Sequence, residues 1–127
     1  AEYIHALRSR IFDDDGLGSK RETKNLVEKI KVIKPDIIHI HNIHGYYINY
    51  KILFEYLNST NIQVVMTLHD CWSFTGHCPH FVTANCEKWK TGCHHCPLKD
   101  SDYKKSLIDR SRRYFKLKKQ YIAENSN

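Results

Sequence analysis

Hydrophobic positions along this chain switch between two spacings, and the switch predicts its elements. Between Tyr3 and Phe12, Ile4, Leu7 and Ile11 recur at helical intervals, and Asp13-Asp14-Asp15-Gly16 predicts the stop. Gly16-Leu17-Gly18 has the opening of a phosphate-binding glycine loop, but no strand precedes it and no third glycine follows, so it reads as a turn. Ser19-Lys20-Arg21-Glu22 has the form of a capping box, in which the serine accepts from the Glu22 amide and the glutamate reaches back. The helix it opens carries Leu26, Val27, Ile30 and Ile33 and stops at Pro35, because the residue before a proline avoids helical geometry.

The spacing then falls to two. Ile37-Ile38-His39-Ile40-His41 predicts a strand with both histidines on one face. His39, in mid-strand, reads as a hydrogen-bonded structural residue. His41, with Asn42, His44 and Gly45 beyond the strand end, is better placed for a ligand. Tyr46 to Leu57 predicts a helix whose inner face is Ile48, Ile52, Leu53, Tyr56 and Leu57. After the turn Asn58-Ser59-Thr60-Asn61, the stretch from Ile62 to Asp70 reads as a buried parallel strand. Strand, helix and strand make one right-handed βαβ unit, hence an α/β fold. Two strands are too few for a complete doubly wound sheet, so further strands belong to a longer chain or an edge stays exposed. A last helix is expected over 102–123, with Leu107, Ile108, Tyr114, Phe115, Tyr121 and Ile122 as its apolar stripe.

The 127 residues suffice for one modest domain. The chain starts at Ala1 and its one methionine is Met66, which suggests a piece of a longer protein. Glu2, His5 and Arg8 interrupt the early apolar pattern, so the start does not read as a signal peptide, and no window approaches membrane-spanning length. The formal charge is +6, and Lys104, Lys105, Arg110, Arg112, Arg113, Lys116, Lys118 and Lys119 concentrate it in the expected last helix. Such a run fits either a phosphate-rich partner or a plain solvated face.

Chemistry gathers at two places. The strand ending in His69-Asp70 delivers a titratable pair to the carboxyl edge of a sheet, where open α/β folds bind ligands. Directly after it, Cys78, Cys86, Cys93 and Cys96 have the spacing C-x7-C-x6-C-x2-C. Two residues between the last pair let both sulfurs reach one tetrahedral ion, and four thiolates would close its shell. That suits structural rather than catalytic zinc, in a loop with little core of its own. A histidine among His77, His80, His94 and His95 could replace one cysteine, and two disulfides or reduced thiols remain open alternatives. Cys71, at the strand end, reads as a buried free thiol.

Three stretches carry a family resemblance: Pro35 to Asn42, His44-Gly45-Tyr46-Tyr47, and Val64-Val65-Met66-Thr67-Leu68-His69-Asp70-Cys71-Trp72-Ser73-Phe74-Thr75-Gly76-His77-Cys78. Over about residues 19 to 123 the chain resembles the amino-terminal domain of family 4 glycosyltransferases of bacterial exopolysaccharide and capsule synthesis. Cys86 to Cys93 and Cys96-Pro97 are similar to a subgroup of them. The resemblance implies a GT-B architecture, with residues 1–127 an incomplete Rossmann-like domain bearing a cysteine-rich insertion at 71–98. It implies retaining transfer from a nucleotide-sugar donor to a polysaccharide or lipid-linked acceptor, without a catalytic metal, in a cytoplasmic protein at the inner membrane. His69 and Asp70 are then the catalytic candidates, and His41, Asn42, His44 and Gly45 the substrate-binding ones. The family's first strand, its glycine-rich loop and its donor-binding glutamate pair are not in these residues, so the piece alone is expected to lack useful activity. Membrane contact is expected through the basic last helix, and no nucleic acid.

Two other readings compete. A zinc-stabilised nucleic-acid-binding module would explain the cysteines and the basic helix, but not an apolar βαβ unit with polar residues at its strand ends. A thiol oxidoreductase using Cys93 and Cys96 needs a strand before the pair and a helix starting on it, where Pro97 stands instead.

Overall fold

The computed structural model describes residues 2–14, 16–101 and 105–123. Two short strands, β1 (Ile37–Ile40) and β2 (Gln63–Met66), pair in parallel with Ile37 opposite Gln63 and Ile40 opposite Met66. Asp36 and Ile40 extend the pairing, accepting from the amides of Gln63 at 3.1 Å and Thr67 at 2.9 Å. Helices α1 (Glu2–Phe12), α2 (Lys20–Ile33) and α3 (Tyr50–Leu57) fill the first half, with α3 joining the strands. The chain is therefore mixed α/β, with a two-stranded parallel sheet among the described residues.

The core forms where α3 meets α2 and one sheet face. Tyr50, Leu53, Phe54 and Leu57 pack with Ile30, Ile40, Ile43 and Trp72, while Ile38 and Met66 lie against that cluster. Burying each such side chain contributes roughly 1.5–3 kcal/mol. Strand alternation sends His39 to the opposite face, which stays open: Ile37 and Val65 are exposed there. β2 is thus not the buried strand its apolar run suggests, and it ends at Met66 rather than reaching Asp70. A groove of about 700 Å³ runs along it, lined by Phe54, Leu57, Ile62, Val64, Met66 and Ile122 among others.

Three local expectations give way in the folded structure. Ser19 does not cap α2: its φ is 47° and its hydroxyl donates to the Tyr46 carbonyl at 2.6 Å instead. Thr23 does the joining there, donating to the Ser19 carbonyl and accepting from the Asn49 amide, both at 2.8 Å. α3 begins at Tyr50 rather than Tyr46, because Gly45 and Tyr46 both hold positive φ and Asn49 caps the helix through the Ile52 amide. α1 has the expected extent but the opposite polarity. Tyr3, Ile4 and Leu7 are 91%, 67% and 60% exposed, whereas His5 and Ser9 are buried.

His5 explains the glycine turn. Its Nε2 accepts from the Gly18 amide at 3.0 Å, so Nδ1 carries the ring hydrogen and donates to the Tyr46 carbonyl at 2.9 Å. A Cβ on Gly18 would overlap the His5 ring, and one on Gly16 would lie 2.7 Å from the Tyr50 ring. Close packing, not phosphate, accounts for Gly16-Leu17-Gly18.

The last helix is shorter than expected. α4 spans Ser111–Lys118 and runs into a π-helical turn, Lys119–Ala123; Leu107 and Ile108 precede it and are exposed. Asp102 and Lys104, expected in that helix, lie outside the described residues. Lys118 leaves the basic surface altogether. It is 2% exposed, sits 4.0 Å from the centre of the Trp72 ring and donates to the Trp72 carbonyl at 2.7 Å. Among the described residues, no helix is long and apolar enough to cross a membrane.

Lys118→Met keeps the buried stem but strands that carbonyl. Urea unfolding should show a loss of about 2–3 kcal/mol, against little change for Lys119→Met on the exposed side.

Candidate functional site

The open sheet face collects the histidines. Because side chains alternate along β1, His39 and His41 emerge on one side, their ring centres 4.2 Å apart. The parallel register brings the segment after β2 alongside. His39 Nε2 lies 2.7 Å from Thr67 Oγ1, which fits the structural role expected of it. His41 Nδ1 lies 2.9 Å from His69 Nε2, and all three imidazoles are exposed. In the bond between His41 and His69 one ring nitrogen donates and the other accepts, so their tautomers are coupled. The pair offers hydrogen-bonding nitrogens and a path for a proton on an accessible rim.

Asp70 serves a histidine other than its neighbour His69. Its Oδ2 lies 2.5 Å from His44 Nε2, and its Oδ1 accepts from the Trp72 amide at 2.8 Å. Both members are largely buried, and the His44 ring centre is 5.6 Å from that of Trp72. Asp70 therefore orients His44 and caps the turn into the cysteine loop. Gly45, at φ +112°, turns the chain between His44 and Tyr46, and Tyr47 closes the turn by donating to the Asn42 carbonyl. His41, Asn42, His44, Gly45, His69 and Asp70 thus gather at one end of the sheet.

The cysteine loop has more core than its sequence suggests. Phe74, Phe81 and Trp89 pack against one another, with ring centres 5.1–6.3 Å apart. Cys78, Cys86, Cys93 and Cys96 line one cavity of about 10 Å³ beside Phe81 and Trp89. All are free thiols. The Cys96 thiol hydrogen-bonds Cys78, which draws the Cys78 pKa down and holds that of Cys96 up; burial raises that of Cys93. Cys71 is half-buried rather than buried; burial still raises its pKa, while its amide donates to the Pro79 carbonyl at 2.8 Å. Among the described residues, no group of three or more His, Cys, Asp or Glu side chains is drawn up to hold a metal ion as it stands.

Sequence reasoning missed the carboxylates behind this loop. Asp13 is fully buried; its Oδ1 lies 2.9 Å from His77 Nδ1 and its Oδ2 accepts from the Arg110 amide at 2.8 Å. The His77 contact is close without hydrogen-bond alignment, so proximity rather than a directed bond joins the two. Asp109 accepts from the amides of Cys96 at 2.7 Å and Ser111 at 2.9 Å, and these bonds help hold its carboxyl below the usual range although burial opposes them. A triple-aspartate turn signal gives no hint of such partners.

No protein-family model matches the chain, and no solved structure does. The chain is 32% identical over 120 residues to WcaC of Escherichia coli (strain K12), whose name assigns it to glycosyl transfer in colanic acid biosynthesis. The match takes in 91% of this chain and 28% of that protein, so the chain spans well under a third of its relative's length.

The geometry separates two neighbours. Asp70→Ala should cost about 1–3 kcal/mol in urea unfolding, since it removes a capping acceptor and the partner of a half-buried imidazole. His69→Ala, on the exposed rim, should stay within about 0.5 kcal/mol.

Proposed function

We propose that this chain is the acceptor-side portion of a glycosyltransferase of exopolysaccharide synthesis. The match to WcaC along nearly the whole chain supports the class. The observation that carries the site is the His41–His69 pair, two imidazoles 2.9 Å apart on the rim where neighbouring parallel strands end. On this reading His69 hydrogen-bonds a hydroxyl of the sugar or the charge that develops as it is transferred. His41 sets the tautomer of His69, and Asp70 acts at one remove by holding His44 and the loop behind it. Asn42 and Gly45 border the sugar.

The finer features follow the family resemblance: a GT-B enzyme in the cytoplasm, a nucleotide-sugar donor, a retaining reaction without catalytic metal, and a polysaccharide or lipid-linked acceptor. The donor's nucleotide would be held mostly by residues outside this chain, so these residues alone should turn over no substrate usefully. Exposed Arg112, Arg113 and Lys116 would face anionic lipid or a lipid-linked phosphate. The competing nucleic-acid reading loses Lys118 from its basic face, because that ammonium is spent on Trp72.

In the longer enzyme, assayed by nucleotide release from a panel of UDP- and GDP-sugars with a lipid-linked saccharide acceptor, His69→Ala should lower kcat on the order of 100-fold or more. Unchanged turnover would overturn the assignment. Replacing Arg112, Arg113 and Lys116 by glutamine should weaken binding to vesicles containing phosphatidylserine roughly 100-fold, at about 1 kcal/mol per charge.

A further inference from the structure

The cysteine cavity stands apart from the histidine rim and takes no part in the proposed transfer. We propose that Cys78, Cys86, Cys93 and Cys96 bind one zinc ion as a closed structural site. Three separate segments bring the four residues together. Cys78 follows the buried turn Thr75-Gly76-His77, Cys86 follows the 3-10 turn Phe81–Ala84, and Cys93 and Cys96 flank a tight turn. The segments meet on a cavity of about 10 Å³, and a space near that size admits roughly one water-sized body. A tetrahedral tetrathiolate, with Zn–S near 2.3 Å, spaces its sulfurs by roughly 3.8 Å, a scale that suits so small a cavity.

Backbone approach in the loop is forced to the same end. A Cβ on Gly76 would lie 2.7 Å from Cys93 Cβ and would collide with the Ser111 carbonyl at the start of α4. The turn between Cys93 and Cys96 is clamped from outside: Lys88 Nζ donates to the carbonyls of His94 at 3.1 Å and His95 at 2.8 Å, and Asp109 holds the Cys96 amide. Little regular structure runs through this loop beyond two 3-10 turns, so a central ion would add order that hydrogen bonds alone do not.

Two histidines, His77 and His94, share this cavity with the cysteines. His77 turns Nδ1 to Asp13, His94 turns Nδ1 to the Gly92 carbonyl at 2.9 Å, and His80 and His95 are exposed. His77, whose Nε2 is buried without a hydrogen-bond partner among the described residues, is the histidine best placed to replace a cysteine. The four cysteines are placed first because all four line the one cavity. As they stand the sulfurs are not drawn to one point, and zinc would pull them inward. No coordination position would remain for substrate, so the ion's role is to fix the loop that starts at Trp72.

The test is elemental analysis of the protein purified under reducing conditions. One zinc per chain is expected, released by an organomercurial as the four thiolates are titrated. Cobalt substitution should give sulfur-to-metal charge-transfer bands and the visible bands of a tetrahedral ion. Cys71→Ser should retain one zinc, whereas Ser at any of the four positions should lower affinity at least 10-fold. Should those variants fail to fold, the release and cobalt spectra of the unmodified protein still decide. Freshly reduced protein with four reactive thiols and well under one zinc would overturn the proposal, as would two disulfides found by mass spectrometry in the native protein.

Discussion

Burial of Trp72 joins the parts of this protein. The side chain is 1% exposed, edge-on to Tyr50 with ring centres 5.7 Å apart and covered by the Lys118 ammonium. Its amide is capped by Asp70 and its carbonyl is taken by Lys118. One residue therefore connects the α3 core, the histidine rim and α4. An aromatic of this size contributes more apolar burial than any other single side chain in the core, and the cation above it is stabilised only while the ring stays in place. Loosening Trp72 would release Asp70, and with it the orientation of His44.

The two candidate centres differ in kind. The rim at His41 and His69 is open, made of exposed rings whose bonds can be exchanged for bonds to a ligand at little cost. The cysteine cavity is small and lined by Phe81, Trp89 and Leu98 among others. Of its four thiols Cys78 is buried and the others are partly buried, which fits a part that holds shape while the rim meets other molecules. Asp70 lies in the chain between them, one oxygen turned to His44 and the other to the Trp72 amide.

Period and spacing made much of this legible. The alternation in Ile37-Ile38-His39-Ile40-His41 foretold both the strand and the shared histidine face, and parallel pairing followed from a strand–helix–strand order. The convergence of His41 and His69 came from the same logic. Four cysteines around one cavity were foreshadowed by their spacing alone. What failed was local grammar overruled by distant partners. Ser19 has a capping sequence, but a carbonyl 27 residues away claims its hydroxyl. The basic run around α4 reads as a solvated face, yet one lysine of it turns inward to a tryptophan 46 residues back. The apolar spacing of α1 is helical as read, but spacing does not say which side of a helix the rest of the molecule covers.

One such partnership has a bearing on how the chain is made. Asp13 is tied to the Arg110 amide across 97 residues. At ribosomal speeds of about 5–20 residues per second, that amide follows the aspartate by roughly 5–20 s. Of these two contacts, the one to His77 can form earlier. The turn that ends α1 is therefore finished late, by a loop closure whose cost grows only slowly with its length. During biosynthesis the α1 turn waits for the segment that enters α4.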